Sequence, residues 1–130
     1  MPHMSKTLVQ YLAVAAGGSI GAVTRLLVST VCARLFGTAF PIGTFIINIT
    51  GSFFLGWFLA MASGRLMISD TLRMAIAVGF VGAYTTFSTY MYESNGLLAD
   101  GATLKATANL VGSVAIGLLV VRLGIWIGAR

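Results

Sequence analysis

Three sets of polar side chains interrupt an otherwise apolar sequence. Thr44, Asn48 and Ser52 recur every fourth residue, a spacing that lines one face of a helix. Asn109 and Ser113 repeat the pattern near the C-terminus. Between them lies the run Gly82-Ala83-Tyr84-Thr85-Thr86-Phe87-Ser88-Thr89-Tyr90. Hydroxyls and amides in such surroundings either tie helices together or line a polar path. A single Ser or Thr fits the first role as readily as the second. Asn48 is costlier to bury, and that favours the path. The Asn48-Ile49-Thr50 triplet matches a glycosylation acceptor, but it sits inside an apolar stretch and is set aside. Catalysis finds little support. Cys32 has no base nearby in sequence, His3 stands alone near the N-terminus, and no paired carboxylates occur within an apolar segment. The chain therefore reads as a non-enzyme.

The elements that must hold these side chains are membrane helices. Hydrophobic residues make up 58% of the 130 and charged residues 8%, against about 25% charged in a soluble domain. So few charges cannot hydrate a surface, and the solvent for most of the chain is the lipid bilayer. Four apolar segments run over Leu8–Val31, Pro41–Ala62, Leu72–Ala99 and Leu104–Ile127. Each meets the roughly 20 residues needed to cross the hydrocarbon core. The predicted fold is an all-α membrane protein, a single domain over residues 1–130, with Met1-Pro2-His3 resembling a cloning remnant before a start at Met4. The first segment is expected to remain as a span rather than be cleaved as a signal. Pro41 suits the first turn of the second helix. Ser69 or Asp70 can cap the third and Thr103 the fourth, with Asp100-Gly101 as the turn between them.

The third segment is the unusual one. Gly79, Gly82, Thr85, Thr86, Ser88 and Thr89 fall within eleven positions, and such residues form helix weakly. An interruption near Gly82–Thr86 would free carbonyls that only protein, water or an ion can satisfy in a membrane. A continuous helix, with hydroxyls bonded back to the preceding turn, fits the composition equally well.

The net charge of +5 comes from cations that flank the apolar segments, as at membrane boundaries. No basic run tracks a phosphate backbone, which excludes nucleic acid as a partner. With the N-terminus on one side, that side holds Lys6, Arg65, Arg73, Arg122 and Arg130, and the other holds Arg25, Arg34 and Lys105. Five against three is a weak bias, so insertion in both orientations is open. Gly17 with Gly21, and Gly112 near Ser113 and Gly117, allow close helix contacts, within the chain or between copies. Four thin helices enclose little, so a pore needs a second subunit.

Gly17-Gly18-x-x-Gly21-Ala22-x-x-Arg25, Gly43-Thr44-x-x-x-Asn48-x-x-Gly51 and Gly82-x-x-Thr85-Thr86-Phe87-Ser88-Thr89 together resemble the CrcB/Fluc family of fluoride channels. The resemblance spans all four segments in order. It implies an antiparallel, dual-topology homodimer with helix three broken in mid-membrane. It implies passive export of cytoplasmic fluoride across the bacterial plasma (inner) membrane. Asn48, Thr44, Phe87 and Ser113 match pore positions, and the neighbouring hydroxyls of Thr86 and Ser88 join them. Gly82 and Thr85 match positions whose carbonyls hold a central structural sodium ion. Arg25 and Glu93 match the family's helix-one arginine and helix-three glutamate, with vestibule or structural roles.

Tyr90 departs from the pattern, standing where the family has a second pore phenylalanine. Its hydroxyl is expected to turn from the ion path toward water or a polar partner. The physical reading is compatible with fluoride, a small and strongly hydrated ion. A pore must replace its water with dense donors such as Asn48 and the Ser and Thr hydroxyls, while aromatic edges add weak positive charge. The alternative is a small multidrug-resistance-type proton-coupled antiporter. That activity needs a carboxylate in helix one, and residues 8–31 contain none.

Overall fold

A computed structural model describes residues 5–130, so the stretch read as a cloning remnant lies outside the described residues. The fold is all helical among those residues. Helix α1 spans Lys6–Phe36, α2 Ile42–Gly64, α3 Asp70–Met74, α4 Gly82–Tyr84, α5 Phe87–Ala99 and α6 Thr103–Gly128, with a π-helical stretch Ala75–Val81 joining α3 to α4. Helices α1, α2 and α6 are each long and apolar enough to cross a membrane. The third predicted segment is assembled from the shorter pieces α3 to α5.

Local signals explain the ends. Ser5 accepts from the Leu8 N–H and Ser69 from the Leu72 N–H, both at 3.2 Å, satisfying donors a helix start leaves free. Thr103 does not cap α6 as expected; it is the first helical residue, after Ala102. Pro41 sits one residue before α2. Gly37 and Gly101 end α1 and the α5–α6 turn with φ of 74°, a conformation glycine adopts without strain.

Helix α2 lies between its neighbours, running along α6 on one side and meeting α1 and the third segment on the other. Small residues set these distances. A Cβ on Gly124 or Gly128 would overlap the carbonyl of Phe53 or Trp57. Gly17 and Gly21 do the same for α1 against the third segment, where a Cβ would overlap the Ala75 or Phe80 carbonyl. These two glycines therefore serve packing within the chain. Gly112 has nothing within 4 Å of its Cβ position.

Large apolar side chains cover the outside. Leu26, Leu27, Leu104 and Leu119 are each more than 60% exposed. In water that surface would aggregate. The chain is a multi-pass membrane protein, and lipid covers this surface.

Candidate functional site

The site is built where the third segment stops being helical. Thr85 and Thr86 are extended, with φ/ψ of −77°/159° and −151°/121°. Helix α5 then starts with Thr86 as its cap, the Thr86 Oγ1 accepting from the Thr89 N–H at 3.2 Å.

Asn48 of α2 fixes these extended residues. Its Oδ1 accepts from the Thr86 N–H at 2.8 Å, and its Nδ2 donates to the Thr86 carbonyl at 2.9 Å. An amide side chain thus pairs with the N–H and carbonyl of one residue much as a neighbouring strand would. One of the two Nδ2 protons is spent, leaving one for a ligand. Two further contacts hold the same stretch to α2. The Tyr84 hydroxyl lies 2.9 Å from Thr50 Oγ1, and a Cβ on Gly51 would overlap the Thr85 methyl.

The pairing has a consequence for backbone carbonyls. In a continuous helix the Gly82 carbonyl would accept from the Thr86 N–H and the Thr85 carbonyl from the Thr89 N–H. Both N–H groups instead donate to side-chain oxygens, on Asn48 and Thr86. The carbonyls of Gly82 and Thr85 lose their helical donors. Among the described residues no three His, Cys, Asp or Glu side chains gather as metal ligands.

A cavity of about 300 Å³ opens beside the extended residues. Asn48, Ser52, Thr85, Thr86, Phe87, Tyr90 and Ser113 line it, with Leu55, Val81 and Val114 as apolar wall. Among the described residues, no charged side chain lines it. Phe87 and Tyr90 meet edge to face, centroids 6.0 Å apart. Phe87 is 72% exposed, whereas Tyr90 is buried. The Tyr90 hydroxyl donates to the Leu110 carbonyl of α6 at 2.6 Å, so its proton is committed to the backbone. Tyr90→Phe should consequently change ion flux by less than about twofold and cost about 1 kcal/mol of stability. Flux per protein in liposomes and thermal unfolding in detergent check both numbers.

Not every residue singled out from the sequence lies here. Thr44 faces a different cavity, of about 370 Å³, with Glu93, Asp100 and Ser29. Its hydroxyl donates to Glu93 Oε1 at 3.0 Å, while Glu93 Oε2 is buried without a partner. The reason is rotation. Steps of four residues drift by about 40° on a helix of 3.6 residues per turn, so Thr44 and Ser52 diverge to opposite sides of Asn48. Arg25 lines a third cavity, of about 260 Å³, with Thr44, Thr86 and Thr89. Ser88 is exposed, its Oγ 3.5 Å from Thr86 Oγ1. Sequence reasoning missed Ser94, which is buried and accepts from Asn109 Nδ2 at 2.9 Å. Its only sequence signal is its place one turn after Tyr90.

Comparison with known proteins adds an independent line. The family model described as CrcB-like protein, Camphor Resistance (CrcB), matches residues 12–125. The chain is 44% identical over 117 residues to the fluoride-specific ion channel FluC of Chloroflexus aurantiacus, covering 90% of this chain and 93% of that one. It is 46% identical over 114 residues to the FluC of a Shewanella species, covering 87% and 90%. With the FluC of Aquifex aeolicus it shares 42% over 116 residues, covering 89% and 94%.

Proposed function

Because the chain belongs to the CrcB family, we propose that it is a fluoride channel whose path runs through the cavity beside Asn48. The observation that carries this reading is the make-up of that cavity. Among the described residues it is lined by an amide, several hydroxyls and aromatic rings, and by no charged side chain. The second Asn48 Nδ2 proton can stand in for water around a small anion, while the Thr85 and Tyr90 hydroxyls already donate to the Val81 and Leu110 carbonyls. The lack of a fixed cation keeps each contact weak enough for the ion to leave. Permeation down the gradient removes fluoride from the cytoplasm across the bacterial inner membrane. Expression in a fluoride-sensitive bacterium should restore growth in millimolar fluoride, and failure of a membrane-inserted protein to do so would argue against the reading.

The functional unit in this account is an antiparallel homodimer. The exposed Phe87 ring leaves the cavity open on one side, and a second copy would close it. The near-even split of cations supports insertion in both orientations. A cysteine placed at the C-terminus should react with an impermeant thiol reagent from both sides of the membrane. Reaction from one side alone would refute dual topology.

Gly82 and Thr85 fit a sodium ion held between the two copies, since both carbonyls lack their helical donors. Hard cations take oxygen ligands, and two carbonyls from each copy would supply four. Such an ion would satisfy the freed carbonyls by coordination and fix the extended residues. Arg25 and Glu93 belong to the vestibules at the cavity mouths in this account.

A further inference from the structure

Ser94, Asn109 and Ser113 form a hydrogen-bonded chain between α5 and α6 whose proton positions follow by elimination. The Ser94 hydroxyl lies 2.7 Å from the Tyr90 carbonyl. A carbonyl only accepts, so the single Ser94 proton goes there. Toward Asn109, Ser94 can then only accept, and Asn109 must present its Nδ2 to it, at 2.9 Å. That choice turns Asn109 Oδ1 toward Ser113, 3.4 Å away. Toward Asn109, Ser113 can then only donate. Ser94 and Asn109 are 2% and 1% exposed, so water does not compete for this arrangement.

Ser113 also lines the cavity beside Asn48. With its proton turned to Asn109, it offers the cavity lone pairs, which repel an anion. An arriving anion must take the proton away from Asn109. At 3.4 Å the bond is well beyond the 2.5–3.0 Å of a good hydroxyl bond, so it yields readily. Resting on the fluoride reading, we propose that Asn109 is a positioning residue that holds the Ser113 proton in reserve, and that Ser94 fixes the orientation of Asn109. The arrangement subtracts from the affinity of Ser113 for the ion. That shortens the ion's stay, which conduction through successive weak sites requires.

The test separates affinity from maximal flux. Full-length Asn109→Leu keeps the branched outline of the side chain but removes the acceptor, and Ser94→Ala removes only the oxygen that fixes the amide. Each is measured in liposomes, with and without Ser113→Ala, over a range of fluoride concentrations. Asn109→Leu should lower the half-saturating fluoride concentration by about two- to threefold and reduce the maximal flux. Ser94→Ala should act in the same direction to a smaller extent. Both shifts should vanish in the Ser113→Ala background. A general packing defect would lower the yield or the maximal flux without that dependence on Ser113. If Asn109→Leu does not assemble, Ser94→Ala alone decides. An unchanged half-saturation, or a shift that survives Ser113→Ala, overturns the proposal. A parent chain that passes no fluoride would instead overturn the functional reading, and this inference with it.

Discussion

Asn48→Ala is expected to lower fluoride flux by about 100-fold or more. The substitution removes a donor from the cavity, but the larger effect is on the backbone. Thr86 loses the partners of both its backbone groups, since its N–H and carbonyl are each bonded to the Asn48 amide. Orphaning a buried polar group costs about 1–3 kcal/mol, and each 1.4 kcal/mol is about a factor of ten. The extended residues can then recover their bonds only by winding back into helix. Rewinding would return the Thr86 N–H to the Gly82 carbonyl and move Thr85, Thr86 and Phe87 away from the cavity. Asn48→Asp keeps the acceptor for the Thr86 N–H, loses the donor to the carbonyl and adds a negative charge beside the path. It should therefore fail as well. Flux per reconstituted protein checks both variants, with gel filtration showing that they assemble. Parent-like flux through Asn48→Ala would remove Asn48 from the mechanism.

The second large effect is on folding. Gly21→Ala puts a methyl group onto the Phe80 carbonyl, with other Phe80 backbone atoms close behind. Backbone cannot swing aside as a side chain can, so α1 must separate from the π-helical stretch. Overpacking of this kind costs about 1–3 kcal/mol and would here loosen a whole interface. Monodisperse yield should fall sharply and thermal unfolding should come earlier. Gly64→Ala is the control, because nothing lies within 4 Å of its Cβ position. It should unfold within about 0.5 kcal/mol of the parent. Equal behaviour of the two variants would mean that the close α1 contact is not required.

The elements were legible because lipid imposes a simple rule on sequence. Long apolar runs with cations at their ends mark α1, α2 and α6 to within a few residues. The all-helical membrane fold therefore needed no template. The π-helical stretch Ala75–Val81 was not legible. Its residues are uniformly apolar, and its own Gly79 and the α1 residues Gly17 and Gly21 show how it packs only once α1 is in place. At the site, residue types were easier to read than partners. Asn48 stood out as an amide in an apolar helix, but its partner Thr86 is 38 positions away, beyond any helical spacing. The same limit hid the bond from Tyr90 to Leu110 and the link from Asn109 to Ser94. A four-residue repeat also drifts around a helix, so Thr44 meets Glu93 and lines a cavity other than the one beside Asn48. The expectations for pore and sodium positions rest on the motif resemblance, since composition and periodicity assign neither.

The central claim is that this chain alone forms a path selective for fluoride. Purified protein in liposomes loaded with potassium fluoride or potassium chloride, with valinomycin to carry the counter-charge, tests it most directly. The account predicts rapid fluoride efflux that scales with protein, and chloride efflux no faster than from protein-free liposomes. Equal passage of both ions, or fluoride retained as in empty liposomes, would contradict it.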